Sequence, residues 1–76
     1  MRERDEKARA ALGSRIREIR RAAGMTCRDA ATSTGIALGN YYLLERGVGN
    51  PTVVTLVRVA RGLGVPVSEL LKGVGA

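Results

Sequence analysis

The sequence has no histidine, tryptophan or phenylalanine and a single cysteine, Cys27. One thiol cannot form a disulfide within the chain, and without histidine or a second thiol there is no ordinary zinc ligand set. The lack of histidine also excludes Ser/His and Cys/His catalytic pairs, and the seven acidic residues are scattered among thirteen basic ones. We therefore expect no enzymatic activity, no metal and no cofactor.

Long hydrophobic runs are also missing. No apolar stretch approaches the ~18 residues that a membrane span needs, and the charged residues 1–7 are not followed by the apolar segment of a signal peptide. We expect a cytoplasmic protein with no membrane partner. Its 76 residues suffice for one small domain and leave no second domain for ligand sensing. Because so short a chain buries only about 60% of its unfolded surface, we expect stabilisation by self-association.

Basic residues outnumber acidic ones, giving a formal net charge of +6. Such an excess on a short chain favours an anionic partner, above all a nucleic acid, although a merely solvated basic surface is the alternative. The only aromatic residues are Tyr41 and Tyr42. Since RNA and single strands are commonly bound by stacking on aromatics, the predicted partner is double-stranded DNA.

Apolar periodicity predicts three helices in the first two thirds of the chain. The first ends near Gly24 and follows a charged arm, residues 1–8, that either frays or extends it. Thr26 is a good N-cap for a short second helix, with Asp29 favourably placed in its first turn. Gly35 permits a tight turn into a third helix over about residues 38–44.

Two further helices follow a glycine-rich loop. Thr52 is expected to cap the fourth, whose inward stripe is Val53, Leu56, Val59 or Ala60, and Leu63. Pro66 or Ser68 opens the last, which is expected to turn Val67, Leu70 and Leu71 inward. The sequence gives no strand signal, and a short tail follows at residues 73–76. The predicted core comprises Leu12, Ile16, Ile19, Ala31, Ile36, Tyr41, Leu44, Leu56, Ala60, Leu63 and Leu70.

Two short helices joined by a three-residue turn containing glycine fit the helix-turn-helix description. The order and spacing of the motifs resemble the Cro/repressor, or xenobiotic-response-element, family of bacterial and phage regulators. The resemblance covers residues 12–71 and rests on the segments Leu12-Gly13-x-x-Ile16-Arg17-x-Ile19-Arg20, Gly24-Met25-Thr26, Ala31, Gly35-Ile36, Leu44-Glu45-Arg46-Gly47, Asn50-Pro51-Thr52, Leu56, Ala60, Leu63-Gly64-Val65 and Glu69-Leu70-Leu71.

This resemblance implies an all-α, five-helix lambda-repressor-like domain over residues 9–72, acting as a homodimeric transcriptional regulator with its third helix in the major groove. It also implies an ion pair between Arg20 and Glu45 that ties the first helix to the third. A small regulator of this kind, like restriction-modification controller proteins, would respond to its own concentration through dimerisation. The expected dimer surface comprises Val54, Val57, Val65, Val67 and Leu71.

The candidate DNA contacts lie on the second and third helices and the following loop. The amides of Thr26 and Cys27 at the start of the second helix, and the loop amides of Val48, Gly49 and Asn50, suit phosphates. Outward side chains of the third helix would face base edges. Cys27 is more simply a small gap-filling side chain than a redox switch. The candidate residues are Thr26, Cys27, Arg28, Ala37, Leu38, Gly39, Asn40, Tyr42, Leu43, Arg46 and Asn50.

The third helix departs from the family pattern, which commonly has polar side chains at Leu38, Gly39 and Leu43. Direct hydrogen-bonded readout must therefore be thin, leaving methyl contacts, Asn40, the Tyr42 hydroxyl and DNA shape. The run from Ala37 to Gly39 resembles the Ser-Leu-Gly start of this helix in actinobacterial regulators of Clp protease genes. The alternative function is a helix-turn-helix module for protein binding, because exposed leucines and tyrosine would form an adhesive patch.

Overall fold

The computed structural model describes residues 2–75 and consists of five α-helices. They are α1 (Arg2–Ala22), α2 (Cys27–Thr34), α3 (Leu38–Glu45), α4 (Val53–Leu63) and α5 (Val67–Leu70). The described range contains no strand, and the predicted all-α, five-helix architecture is confirmed. None of these helices is long and apolar enough to cross a membrane. Met1, at the start of the predicted arm, and Ala76, at the end of the predicted tail, lie outside the described residues.

The first helix is longer than its apolar stripe. Residues 2–8 are helical and mostly exposed, so the charged segment extends α1. Glu3 and Asp5 lie in the first turn and Arg20 and Arg21 in the last, which matches the helix dipole at both ends. Directly after this extension α1 packs against the α3–α4 loop, because a Cβ on Gly47 would lie 2.9 Å from the Cα of Ala10.

The ends of α2 and α4 are set by local hydrogen bonds. The Thr26 hydroxyl accepts a hydrogen bond from the Asp29 amide, and the Asp29 carboxylate accepts one from the Thr26 amide, forming a capping box. Thr52 caps α4 in the same way by accepting from the amide of Thr55. At the other end of α2, Gly35 has a φ of 71°, a left-handed conformation that glycine adopts without steric cost. Both predicted N-caps are confirmed.

One apolar core joins all five helices. Its most completely buried large side chains are Tyr41, Ile16, Leu70 and Val59. Of the predicted core residues, Ile36, Leu44 and Leu56 are only half-buried at its edge, whereas Ala30 is fully buried although it was not expected. The complete core is Leu12, Ile16, Ile19, Ala30, Ala31, Tyr41, Val59, Ala60, Leu63 and Leu70.

Two residues predicted to point inward are exposed. Val53 is 75% exposed although it lies three residues before Leu56, because the buried residues of α4 begin only at Val59. Leu71 is 41% exposed because α5 ends at Leu70, so the next side chain no longer follows the buried face. Both inward assignments were wrong.

An ion-pair network fastens α3 to α1. Arg20 donates from Nε to Glu45 Oε2 at 2.6 Å and from Nη2 to Glu45 Oε1 at 3.0 Å. Its Nη1 also donates to the Met25 carbonyl at 2.9 Å, so the same guanidinium holds the turn before α2. Arg17 adds a longer contact, 3.5 Å from its Nε to Glu45 Oε1. The Glu45 side chain is only 4% exposed, so this network, hereafter the Arg20–Glu45 clamp, is largely shielded from water.

The clamp changes the acidity of the groups around it. Burial alone would raise the pKa of the Glu45 carboxyl, but the hydrogen bonds from Arg20 and the charges of Arg20 and Arg17 hold this pKa below its ordinary value of 4.5. The Tyr41 hydroxyl is the one fully buried side-chain oxygen or nitrogen within residues 2–75 that has no hydrogen-bond partner. Burial, followed by the nearby Glu45 carboxylate, raises the pKa of Tyr41, which stays neutral.

Replacing Gly13 with alanine tests the close packing of α1 on α3. A Cβ there would lie 2.5 Å from the Glu45 carbonyl oxygen and 2.7 Å from that of Leu44, and neither backbone atom can move aside cheaply. We expect Gly13→Ala to lower the free energy of unfolding by about 1–3 kcal/mol. Gly39→Ala is the control, since a Cβ there meets nothing within 4 Å and alanine gains up to ~1 kcal/mol in a helix. Thermal unfolding that ranks the two variants equally would contradict this packing.

Replacing Glu45 with glutamine tests the clamp. The variant keeps the side-chain shape but leaves the Arg20 guanidinium buried without its counter-charge, which costs about 3–5 kcal/mol in comparable sites. Urea unfolding followed by circular dichroism would measure the loss. Glu18→Gln is the matched control: its side chain is 67% exposed in a pair with Arg15, and such pairs contribute less than about 1 kcal/mol.

The same variant should alter the pH dependence of stability. Because the pKa of Glu45 is lower in the folded than in the unfolded chain, its stabilisation is fully present above pH 4.5 and is lost as the pH falls through the folded pKa. Glu45→Gln should lack this part of the acid-induced loss, whereas Glu18→Gln should retain it. Parallel pH profiles for wild type and Glu45→Gln would show that the clamp does not contribute in this way.

Candidate nucleic-acid interface

The candidate contacts lie on α2, α3 and the loop after α3, which are connected by a compact turn. The Ile36 amide donates to the Ala31 carbonyl at 3.1 Å, and the Ile36 side chain is half-buried against the core. This arrangement fixes α3 relative to α2 at its start, while the Arg20–Glu45 clamp fixes α3 at its end. The helix that carries most of the candidate residues is therefore held at both ends.

The start of α2 offers fewer amides than the sequence suggested. The Thr26 amide donates to the Asp29 carboxylate at 3.0 Å and is not available for a phosphate. Hydrogen bonds from Thr26 hold the pKa of the Asp29 carboxyl below its ordinary value, so a negative charge stays at this helix end. Within residues 2–75 the amides of Cys27 and Arg28 have no acceptor, and the Arg28 side chain is exposed. The expected Thr26 amide contact is corrected accordingly.

Cys27 lies between α2 and the clamp. Its thiol is half-buried, packs against the core and lies 3.8 Å from Glu45 Oε1. The side chain thus fills a gap beside the buried carboxylate rather than projecting from the surface.

The outward face of α3 is mostly uncharged. Ala37, Gly39 and Asn40 are exposed, and Tyr42 and Leu43 are 46% and 39% exposed. Leu38, expected to point outward, is instead half-buried and packs against the core. It is the first residue of α3 and lies two residues after Ile36, which is also half-buried against the core. Direct contact with a base is therefore better served by Asn40, Tyr42 and Leu43.

The start of α3 has no side-chain cap. Its N-cap residue, Ala37, has no side chain that can accept a hydrogen bond. The first hydrogen bond of the helix is the one that the Tyr41 amide donates to the Ala37 carbonyl. In the described part of the chain, the amides of Leu38, Gly39 and Asn40 find no acceptor. This end of α3 is therefore positively polarised and open to solvent.

The loop after α3 contributes one charge and two amides. Arg46 and Asn50 are exposed. The Val48 amide donates to the Leu43 carbonyl at 3.0 Å, so the expected phosphate contact from this amide is wrong. Residues 2–75 provide no acceptor for the amides of Gly49 and Asn50, which remain candidates.

A surface groove that sequence reasoning missed adjoins this face. It has a volume of about 390 Å³ and lies between the turn before α3, the loop and α4. Asn40 and Asn50 line it together with Arg58 of α4. Arg58 was not among the predicted contacts because α4 was considered only for the core and the dimer. Its spacing of three residues from Thr55, which also lines the groove, could have indicated a shared polar face.

The predicted dimer residues differ in exposure. Val54 is 65% exposed and Leu71 41%, whereas Val57, Val65 and Val67 are half-buried. Val53, assigned to the core by sequence, is exposed beside Val54 and enlarges the apolar surface at the start of α4. The spacing of Val53 from Leu56 fits the inward stripe, so the sequence offered no signal for its exposure.

Comparison with known proteins shows the family and the fold of the chain. The helix-turn-helix domain profile matches residues 11–72. An uncharacterised HTH-type transcriptional regulator, y4dJ of Sinorhizobium fredii, is 38% identical over 60 residues, covering 79% of this chain and 78% of the relative. Other curated regulators are longer, and the chain spans 49%, 34% and 54% of three of them.

Solved structures of regulators have the same fold. The restriction-modification controller protein C.AhdI of Aeromonas hydrophila matches with a TM-score of 0.78 and 30% identity, over 80% of this chain and 92% of that chain. The clp gene regulator ClgR of Corynebacterium glutamicum matches with a TM-score of 0.80 and 32% identity, over 86% and 84%. From the profile, the relatives and the shared fold together, the chain belongs to the XRE/Cro-type helix-turn-helix family of transcriptional regulators.

Proposed function

We propose that this protein represses transcription, including its own, as a cytoplasmic homodimer that inserts α3 into the major groove of double-stranded DNA. The observation that carries the proposal is the exposed face of α3, held at one end by the turn at Ile36 and at the other by the Arg20–Glu45 clamp. A helix held in this way can present the same side chains to successive base pairs without losing conformational entropy on binding. The mode of action needs no metal and no cofactor.

Phosphate contacts would supply most of the affinity. The exposed side chains of Arg28 and Arg46 and the free amides at Cys27, Gly49 and Asn50 belong to α2 and the loop after α3, the two segments that flank α3 in the chain. Contacts of this type orient a protein on the duplex but carry no sequence information. They also make binding strongly salt-dependent, since each neutralised phosphate releases counterions.

Specificity would come from a small set of uncharged groups. Leu43 can contact thymine methyls, while the Asn40 amide and the Tyr42 hydroxyl can hydrogen-bond base edges. Leu38 contributes less because it packs against the core. Since few hydrogen bonds are available, the remaining discrimination would depend on the shape of the DNA.

Dimerisation would place two copies of α3 about one DNA turn, ~34 Å, apart on a pseudo-palindromic site. The proposed interface comprises Val54, Val57, Val65, Val67 and Leu71, and we add Val53 because it is exposed next to Val54 in the chain. Similar proteins include the restriction-modification controller protein C.AhdI and the CTXphi transcriptional repressor RstR. For this chain we propose control by concentration, because dimer formation and DNA binding are linked equilibria.

A protein-binding role is the second candidate. Tyr42, Leu43 and Val48 are 46%, 39% and 49% exposed on α3 and its loop. Such a patch would suit an apolar partner, but it lies among basic side chains that favour DNA. Salt-dependent retardation of random duplex DNA would support the DNA-binding proposal, and no retention at ~50 mM salt would support the protein-binding one.

Two substitutions should separate affinity from specificity. Arg46→Ala should weaken specific and random DNA equally and reduce the salt dependence, because a phosphate contact is independent of sequence. Leu43→Ala should instead reduce the difference between specific and random DNA, by about 0.8 kcal/mol for each thymine methyl no longer buried. Competition binding at fixed salt, with a site selected from a random pool, provides the measurement.

Replacing the contacted thymines with uracil is the complementary control. It should reproduce the Leu43→Ala loss in wild type and cause no further loss in the variant. Unchanged discrimination in both experiments would mean that α3 does not read the sequence.

Val54→Glu should disrupt the dimer while leaving the domain folded. The side chain is 65% exposed, so glutamate is tolerated in the monomer but brings like charges together across a two-fold axis. Sedimentation at tens of micromolar should show monomer for the variant and dimer for wild type. The two should share one far-UV circular dichroism spectrum, and the variant should melt at a lower temperature because it lacks the stabilisation by self-association. Val48→Glu, also at an exposed valine but on the loop, should remain dimeric. Monomeric wild type with and without DNA would refute the homodimer.

A further inference from the structure

The groove beside α3 has a mixed lining. One part is apolar and includes Ile36, Leu43 and Pro51, while Asn40, Asn50 and Arg58 contribute polar groups from three different elements. Among the lining residues Arg58 is the only one with a charge, and no acidic residue takes part. The groove therefore combines apolar walls with a single positive charge.

The polar groups of the groove are not engaged elsewhere in the domain. Within residues 2–75, the Arg58 guanidinium lies in no ion pair and makes no hydrogen bond, and the side-chain amides of Asn40 and Asn50 have no partner. Thr55 is different, because its hydroxyl is paired with that of Thr52 at 3.0 Å. Three hydrogen-bond donors thus line one groove without acceptors.

The position of the groove relates it to the proposed DNA-binding face. Leu43 and Asn40 belong both to the groove and to the exposed face of α3, and Asn50 belongs to the loop that offers free amides. A DNA strand at the edge of the major groove presents apolar deoxyribose faces and one negative charge per phosphate. This alternation matches the apolar walls and the unpaired arginine.

We propose that this groove receives the sugar–phosphate backbone of one DNA strand and that Arg58 binds a phosphate there, with Asn50 donating beside it and Asn40 left to the base edge. The proposal rests on the DNA-binding function argued above and adds a contact from α4 to those of α2, α3 and the loop. Arg58 would fix the position of α3 along the groove without reading a base.

Arg58→Gln tests the contact, and Arg61→Gln is its matched control. Arg61 lies three residues further along α4, is exposed, forms no ion pair within the described range and does not line the groove. Each variant loses one positive charge. Binding to specific and random duplexes would be measured between ~50 and ~200 mM salt. Sedimentation and melting temperature would be recorded in parallel.

The expected result is a salt slope, log K against log salt, that is flatter by about 0.9 in Arg58→Gln than in Arg61→Gln, on both duplexes. Equal slopes in the two variants would overturn the proposal, because the two arginines would then affect DNA binding only through the net charge of the protein. The proposal would also be overturned if Arg58→Gln changed the dimer dissociation constant but left the salt slope of DNA binding unchanged. The groove would then be occupied by a second copy of the chain.

A neutral methylphosphonate introduced at successive backbone positions would locate the contact. At the phosphate that Arg58 binds, neutralisation should weaken wild type but add nothing to the loss in Arg58→Gln. Additive losses at every position would overturn the contact while leaving the proposed function intact. Wild type that fails to bind any duplex at ~50 mM salt would instead refute the DNA-binding function itself.

Discussion

The Arg20–Glu45 clamp is the interaction on which the arrangement of the helices most depends. Two charge-assisted hydrogen bonds, at 2.6 and 3.0 Å, join Glu45 at the end of α3 to Arg20 in the last turn of α1. The Arg20 guanidinium also donates to the Met25 carbonyl before α2. Buried ion pairs add little net stability compared with apolar side chains, yet removing one partner is costly. The clamp therefore fixes where α3 lies relative to α1 and α2 rather than simply adding stability.

Glycine positions and small side chains follow from this geometry. At Gly13 the backbones of α1 and α3 approach so closely that a Cβ would lie 2.5 Å from the Glu45 carbonyl, the same residue that forms the clamp. The Cys27 side chain fills the space beside the Glu45 carboxylate, and Tyr41 is fully buried in the core. The exposed residues of α3 are all uncharged and offer few hydrogen bonds. The function proposed above therefore takes most of its affinity from phosphates.

Several local features could be derived from the chain because they depend on few neighbouring residues. The N-caps at Thr26 and Thr52 need only a hydroxyl three residues before an amide, and the left-handed turn at Gly35 needs only the absence of a Cβ. Predictions failed where a side chain's surroundings come from distant elements. Leu38 packs on the core, Val53 is exposed, and the Val48 amide is used by the Leu43 carbonyl.

By itself, the sequence determined the helical architecture, the basic charge and the scarcity of polar groups on α3, since periodicity, composition and residue type are properties of the chain alone. Only the tertiary structure decided which donors remain unpaired. Arg58 and Asn50 are separated along the chain and meet at one groove because α4 packs against the helix-turn-helix unit. Local spacing cannot reveal such a meeting, because the relative placement of two helices depends on the whole core between them.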